Sequence, residues 1–244
     1  MIRFFEELSL SALPALETIY LDGWVLRFAD NYTRRANSIN PLYPGTRTLD
    51  ENLGEAETLY RGRGQRVVFK MTPASLPEGL DEALAERGYA HEAPTSVQTL
   101  DLAAGPQAAP GPTRLAERLT DDWLAAVQDL GAIPERHRDT QRAMLARLGP
   151  AACFAALSVD GQPVSVGLGV LQSGCVGLFD IVTQPAQRRR GHARQLIGDV
   201  LAWAAARGAH TAYLQVMQNN APALRLYTRM GFRERYPYWY RVKG

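Results

Sequence analysis

Asp180-Ile181-Val182-Thr183, followed after a short gap by Gln187-Arg188-Arg189-Arg190-Gly191-His192-Ala193-Arg194, decides the fold of this chain. The first four residues close an apolar run that begins near Cys175 and reads as a strand. The basic turn comes next. After it, Leu196, Ile197, Val200, Leu201 and Ala204 recur at helical spacing, so a helix starts at the turn and buries one face on a sheet. Arg207-Gly208 ends that helix, and Thr211 to Met217 reads as the next strand. A short helix after Asn219-Asn220 carries Tyr227 and stops at Gly231.

A helix start exposes unpaired backbone N–H groups at the positive end of the macrodipole, which suits phosphate. Gly191 and Ala193 allow close approach, and three consecutive arginines add cationic donors. The turn reads as a pyrophosphate cradle. It lacks the Gly-Lys-Ser/Thr of a Walker loop and the G-x-G-x-x-G of a dinucleotide fold.

Arg188-x-x-Gly191-x-Ala193 is similar to the R/Q-x-x-G-x-G/A signature of the GNAT N-acetyltransferases. Asn220-Ala221-Pro222-Ala223-Leu224-Arg225-Leu226-Tyr227, ending in Met230-Gly231-Phe232, resembles that family's second block, in the family's order and separation. The resemblance covers about the last 130 residues. Some members carry a degenerate N-terminal copy, and this chain resembles those. The implied fold class is α/β (α+β), with two GNAT-like halves, each a mixed, mostly antiparallel twisted sheet flanked by helices.

The resemblance implies acetyl-CoA as co-substrate and direct transfer to a primary amine of a small molecule or of a peptide or protein N-terminus, in a ternary complex. Ile181, Val182 and Thr183 match the strand that pairs with the pantetheine arm, with the Val182 N–H facing the thioester. Arg188, Arg189, Arg190, Gly191, His192, Ala193 and Arg194 would hold the pyrophosphate, His192 with its side chain toward solvent. Asn220 matches a CoA-contacting position and is equally a helix cap. Tyr227 matches the general acid that protonates the leaving thiolate; by periodicity alone it is a core aromatic. Asp180, an acid in an apolar run, is either base or substrate contact, or a hydrogen-bonded structural acid.

Upstream, Asp22-Gly23 between Thr18–Leu21 and Trp24–Phe28 signals a hairpin. A strand over 35–42, a helix over 50–61 capped by Thr48 or Asp50, a strand over 66–71, a helix over 76–87 and a strand over 95–102 follow. Arg66–Met71 parallels Ala212–Met217, and Ala83–Tyr89 parallels Leu226–Phe232, a weak internal repeat. Leu84 stands where Tyr227 would. Tyr60-Arg61-Gly62-Arg63-Gly64 imitates the basic turn but sits at a helix C-terminus, where the dipole repels phosphate. Arg34, Arg35, Asn37 and Ser38 read as a solvated edge rather than an acceptor contact. Gly105 to Pro112, with three prolines and two glycines, is the linker between a first domain, 1–104, and a catalytic domain, 113–244.

In the second half, Arg114–Leu119 is a strand, Asp121–Leu130 a helix capped by Thr120, and Glu135–Leu148 another helix. Ala152–Val159 and Pro163–Leu171 form a hairpin across Asp160-Gly161, in which Gly167-x-Gly169 marks a bulge or close packing. Phe232 to Val242 reads as a hairpin around Pro237, with mostly core aromatics.

The net charge of +2 gives no support to a nucleic-acid binder. No apolar run suits a membrane span, and the N-terminus lacks a signal-peptide layout, so the expected location is cytoplasmic. The two cysteines, Cys153 and Cys175, lack metal or redox spacing, and no metal is expected. A non-catalytic CoA-binding or sensing module is the alternative function. Monomer and homodimer both stay open, as does the acceptor.

Overall fold

The computed structural model describes residues 1–103, 111–131 and 133–244, so the linker expected over 105–112 lies, apart from Gly111 and Pro112, outside the described residues. The protein is a mixed α/β structure that divides into two compact units. Unit 1 takes Met1–Ser96, Met217–Asn219 and Tyr236–Gly244; unit 2 takes Val97–Val216 and Asn220–Arg235. A single cut at the Pro/Gly stretch does not generate these units, because the last strand of each half of the sequence contributes to the other.

Unit 1 begins with α1 (Ile2–Ala12), which stops before Pro14. The hairpin β1 (Glu17–Leu21) and β2 (Trp24–Phe28) turns at Asp22-Gly23, both at positive φ. Strand β3 is only Ile39–Pro41, shorter than expected, because Arg34–Ala36 form a 3₁₀ turn. Asn37 and Ser38 are buried there, and Asn37 bonds to the backbone of Ala29, Asn31 and Thr33, so they are not a solvated edge. Then come α2 (Leu49–Arg61), β4 (Val67–Met71), α3 (Leu80–Glu86) and β5 (Ala90–Asp101). Helix α3 begins later than Leu76, at Leu80, because Gly79 supplies its left-handed start.

Unit 2 holds β6 (Arg114–Ala116), α4 (Asp121–Asp129), α5 (Arg138–Leu145), β7 (Ala151–Val159), β8 (Gln162–Gln172), β9 (Cys175–Thr183), α6 (His192–Ala205), β10 (Thr211–Met217) and α7 (Ala221–Arg229). Thr120 caps α4 by accepting from the Trp123 N–H at 3.2 Å. The final strand, β11 (Arg233–Lys243), is continuous through Pro237 and is not a hairpin. Its ladder with β4 starts at Trp239↔Met71, so Pro237 lies beyond that pairing and its missing N–H is tolerated.

The element order repeats. β1-β2-β3-α2-β4-α3-β5 is matched by β7-β8-β9-α6-β10-α7-β11. In each set the first three strands are antiparallel and the fourth runs parallel to the third, beside it. The strand order in unit 1 is β1-β2-β3-β4-β11, and in unit 2 the end of β5 precedes β10-β9-β8-β7-β6.

Each unit has its own apolar core. In unit 1, Trp24, Phe28, Ile39, Phe69, Leu80, Leu84 and Tyr89 pack under α2 and α3. On the other face, Glu6 of α1 accepts from Lys70 Nζ at 2.5 Å and from the Tyr236 hydroxyl at 2.8 Å, all three residues being buried. In unit 2, Leu196, Ile197, Val200 and Leu201 of α6 join Val176, Leu178, Leu214, Tyr227 and Phe232. Cys153 and Cys175 are buried free thiols, and burial pushes Cys153 up to about 12, so neither is a reactive thiolate.

Candidate active site

The site in unit 2 begins with a fault in the sheet. β9 pairs with β8 in register from Cys175↔Gln172 to Phe179↔Leu168, then resumes at Val182↔Val166. Asp180 and Ile181 therefore oppose the single residue Gly167, which is a β-bulge. Asp180 takes a left-handed φ of 49°, the conformation an Asp tolerates better than a branched residue. Pairing of β9 with β10 stops at Leu178↔Leu214. Beyond that point the two parallel strands are no longer laddered to each other.

Which amides face the gap follows from ladder alternation. The Gln184 N–H donates to the Val164 carbonyl at 2.9 Å, so 164/184 and, two residues on, 166/182 are hydrogen-bonded pairs. The Val182 amide thus turns toward β8. The Ile181 carbonyl and the Thr183 main chain turn away from it, and the expectation that the Val182 N–H faces the gap is corrected on this point.

Gly167 and Gly169 have no nucleotide role in this arrangement. A Cβ on Gly167 would meet Ile181 Cδ1 at 2.5 Å, and one on Gly169 would meet Val200 Cγ1 at 2.5 Å. The two glycines let α6 lie close on the sheet and let Ile181 cross it.

The basic turn follows β9 through a 3₁₀ turn, Pro185–Gln187. Arg189 has φ 64° and Gly191 has φ 89°, and Gly191 is the N-cap of α6. No side chain caps this end, and no acid occupies its first turn. Its first amides therefore lack intrahelical acceptors. Arg188, Arg189, Arg190, Gly191 and Arg194 are exposed, and a Cβ on Gly191 would meet nothing within 4 Å. Arg188 Nε donates to the Thr183 carbonyl at 3.4 Å. His192 differs from the expected solvent-facing side chain: it is half-buried, and its Nε2 is shut off from solvent without a partner among the described residues.

Unit 1 shows what a closed version of this turn looks like. Helix α2 stands in the order where α6 stands. Its N-cap Thr48 forms a capping box with Glu51, and Asp50 and Glu51 fill its first turn. Just before it, the Asp22 carboxylate accepts the Thr46 and Arg47 N–H groups at 2.9 and 2.8 Å. Those bonds, the Arg47 amide foremost, hold the Asp22 carboxyl down at about 2. The protein's own anions occupy the amides at and before this helix start, a device the sequence hid because Asp22 is 24 residues away from Thr46.

Helix α7 carries the remaining candidates. The Asn220 side-chain oxygen accepts the Ala223 N–H at 3.3 Å, so Asn220 is an N-cap, using only part of its amide. Tyr227 is 8% exposed and packs edge-on against Phe232, with ring centroids 5.9 Å apart. Burial pushes its hydroxyl up to about 12, so it is protonated at neutral pH. No hydrogen bond to that hydroxyl occurs among the described residues. Ile181 packs against the same cluster as Tyr227 and Leu196, so the bulge, α6 and the phenol share one core. Asp180 is half-buried at the bulge. No cluster of metal-ligating side chains occurs among the described residues. Nor is any described helix long and apolar enough to cross a membrane.

Comparison with known proteins bears on this arrangement directly. The family described as "Probable histone acetyltransferase Rv0428c C-terminal" matches residues 1–241. The uncharacterized N-acetyltransferase YobR of Bacillus subtilis is 29% identical over 254 aligned residues, 99% of this chain and 98% of that protein. A GCN5-related N-acetyltransferase from Kribbella flavida superimposes with a TM-score of 0.72 at 15% identity, covering 99% of this chain and 95% of that one. A tandem GNAT protein from the clavulanic acid biosynthesis pathway does so with a TM-score of 0.68 at 16% identity, covering 98% and 87%. Matched over nearly its whole length, the chain belongs to the Rv0428c C-terminal acetyltransferase family and is an acyltransferase with the GNAT fold.

Proposed function

We propose that the protein transfers the acetyl group of acetyl-CoA to a primary amine, of a small molecule or of a peptide, by direct attack while both substrates are bound. The observation that carries this reading is the uncapped, acid-free start of α6, lying next in sequence to a strand whose pairing with β10 has been released. The N–H groups of Gly191 to Arg194 would bind the pyrophosphate, with Arg188, Arg189 and Arg190 around it. The pantetheine arm would lie along Ile181–Thr183 and take the place β10 has vacated. An amide there would also donate to the oxygen that gains charge in the reaction.

Acetyl-CoA supplies the activated acyl carbon and a thiolate leaving group. Tyr227 would protonate that thiolate; its hydroxyl carries its proton at neutral pH. Asn220 would add a CoA contact through its free NH₂ group. Asp180 would take a proton from the acceptor amine or orient it. Unit 1, with its phosphate position filled by Asp22 and Glu51, would be a degenerate copy serving as scaffold. That the family is described as a probable histone acetyltransferase supports a peptide amine as one acceptor class.

The test is thiol release from acetyl-CoA over a panel of amines, run beside calorimetry with CoA. Wild type should bind CoA and turn over at least one amine, and Gly191→Glu should bind none, by charge and bulk. Binding retained by Gly191→Glu puts the cradle elsewhere, and binding without turnover of any amine favours a sensing module.

A further inference from the structure

At the bulge, β9 has no β10 ladder on one side, and on the other its ladder to β8 skips a step before it resumes at Val182↔Val166. The first resumed rungs therefore hold the strand that borders the gap from one side only. Ser165 of β8 reinforces them. It is 0% exposed and lies directly opposite Thr183. Its Oγ is 2.8 Å from the Val182 carbonyl and 2.9 Å from Thr183 Oγ1.

Proton counting fixes the direction of these bonds. A hydroxyl has one proton, and the Val182 carbonyl only accepts, so Ser165 donates to Val182 and Thr183 donates to Ser165. The Thr183 hydroxyl is thereby turned inward, which leaves the main chain of Thr183 as its contribution to the gap. Ser165 is fully buried, and Thr183 is half-buried. At its other end Thr183 meets the basic turn, through Arg188 Nε on its carbonyl.

The geometry points to Ser165 as a positioning residue for the acyl carrier: by pinning Val182 and Thr183 to β8, it sets the line along which the pantetheine arm binds. This rests on the proposed reading of the gap as the pantetheine slot. Ser165 touches no substrate; it acts through β9. A displacement of the arm by about 1 Å is enough to cost a large factor in transfer.

The experiment is calorimetric titration of wild type, Ser165→Ala and Ser165→Thr with two ligands: CoA, and adenosine diphosphate carrying a 3′-phosphate, which lacks the pantetheine arm. Ser165→Ala should weaken CoA binding about fivefold to tenfold and leave the armless nucleotide unchanged, with the KM for acetyl-CoA rising in the same ratio and the KM for the amine unmoved. Ser165→Thr keeps the hydroxyl and should restore CoA binding. Equal loss of both ligands would show a general structural defect and overturn the proposal, as would unaltered CoA binding in Ser165→Ala. Wild type that binds neither ligand would overturn the pantetheine reading first, and the role of Ser165 with it.

Discussion

The Ile181 side chain lies over Gly167, so close that a single added methyl group would stand 2.5 Å from Ile181 Cδ1 and 2.8 Å from Leu196 Cδ2. Both neighbours are ends of flexible side chains, so Gly167→Ala should fold. The overpacking costs about 1–3 kcal/mol. The relief is for Ile181 to move toward the gap beside it. Gly167→Ala should therefore raise the KM for acetyl-CoA clearly more than the KM for the amine. A thermal melt with paired kinetics checks this; an unchanged ratio of the two constants would mean that Ile181 does not border the acyl carrier.

Tyr227 gives a prediction that separates chemistry from packing. Its hydroxyl has no protein partner among the described residues, so Tyr227→Phe should leave the melting temperature and CoA affinity near wild type. General acid catalysis is worth about 10²–10⁴-fold, so kcat should fall by roughly 10²-fold or more. A kcat near wild type would remove Tyr227 from the acid's role.

The same residue sets a pH expectation. Burial raises its pKa from 10.0 to about 12, so folding favours the protonated form. The stabilisation is complete below the unfolded value of 10.0 and is lost as pH rises toward 12. Stability in alkaline denaturant titrations should hold to about pH 10 and then fall, and this fall should be smaller in Tyr227→Phe. Tyr43, also raised to about 12, adds to the drop in both proteins.

Asp22 predicts the opposite limb. Its carboxyl falls from 3.8 to about 2 on folding, so its contribution is present above pH 3.8 and is lost as pH falls toward 2. Asp22→Ala should lower the melting temperature, because the Thr46 and Arg47 amides lose their anion. Millimolar inorganic phosphate should recover part of that loss in the variant and none in wild type. A variant as stable as wild type would show that those amides need no anion.

These predictions draw unequally on what the sequence makes legible. The Asp22-Gly23 and Asp160-Gly161 hairpins, the Thr48 and Thr120 caps and the span of β9 are readable because each depends on neighbours a few residues apart. The bulge is half-readable: Gly167 marks it, but which residues oppose Gly167 depends on the register of a strand fourteen or so residues on. The inward turn of the Val182 amide depends on that register too. Pro237 misleads because proline breaks a ladder only where an N–H is required, and β4 ends at Met71. Asn37 looks like surface by type; it is buried because the Ala29 and Thr33 carbonyls supply acceptors no local pattern announces.

Strand assignment bears on where the protein can be cut. The end of β5, Val97–Asp101, belongs to unit 2, and Tyr236–Gly244 belongs to unit 1, where β11 pairs with β4. A fragment of residues 113–244 lacks the first and leaves the second without β4. It should be largely insoluble or should melt well below the full chain, as circular dichroism of the two would show. A fragment as stable as the full chain would mean that these strands are dispensable.

The central claim is that the bare start of α6 holds a diphosphate and so presents the acyl sulfur to Tyr227. A crystal structure of the protein with CoA tests it most directly. The expected result is pyrophosphate oxygens about 3 Å from the amides of Gly191 to Arg194, the pantetheine arm along Ile181–Thr183 and the sulfur within hydrogen-bond reach of the Tyr227 hydroxyl. CoA bound elsewhere, with that turn empty or Tyr227 far from the sulfur, would contradict the account.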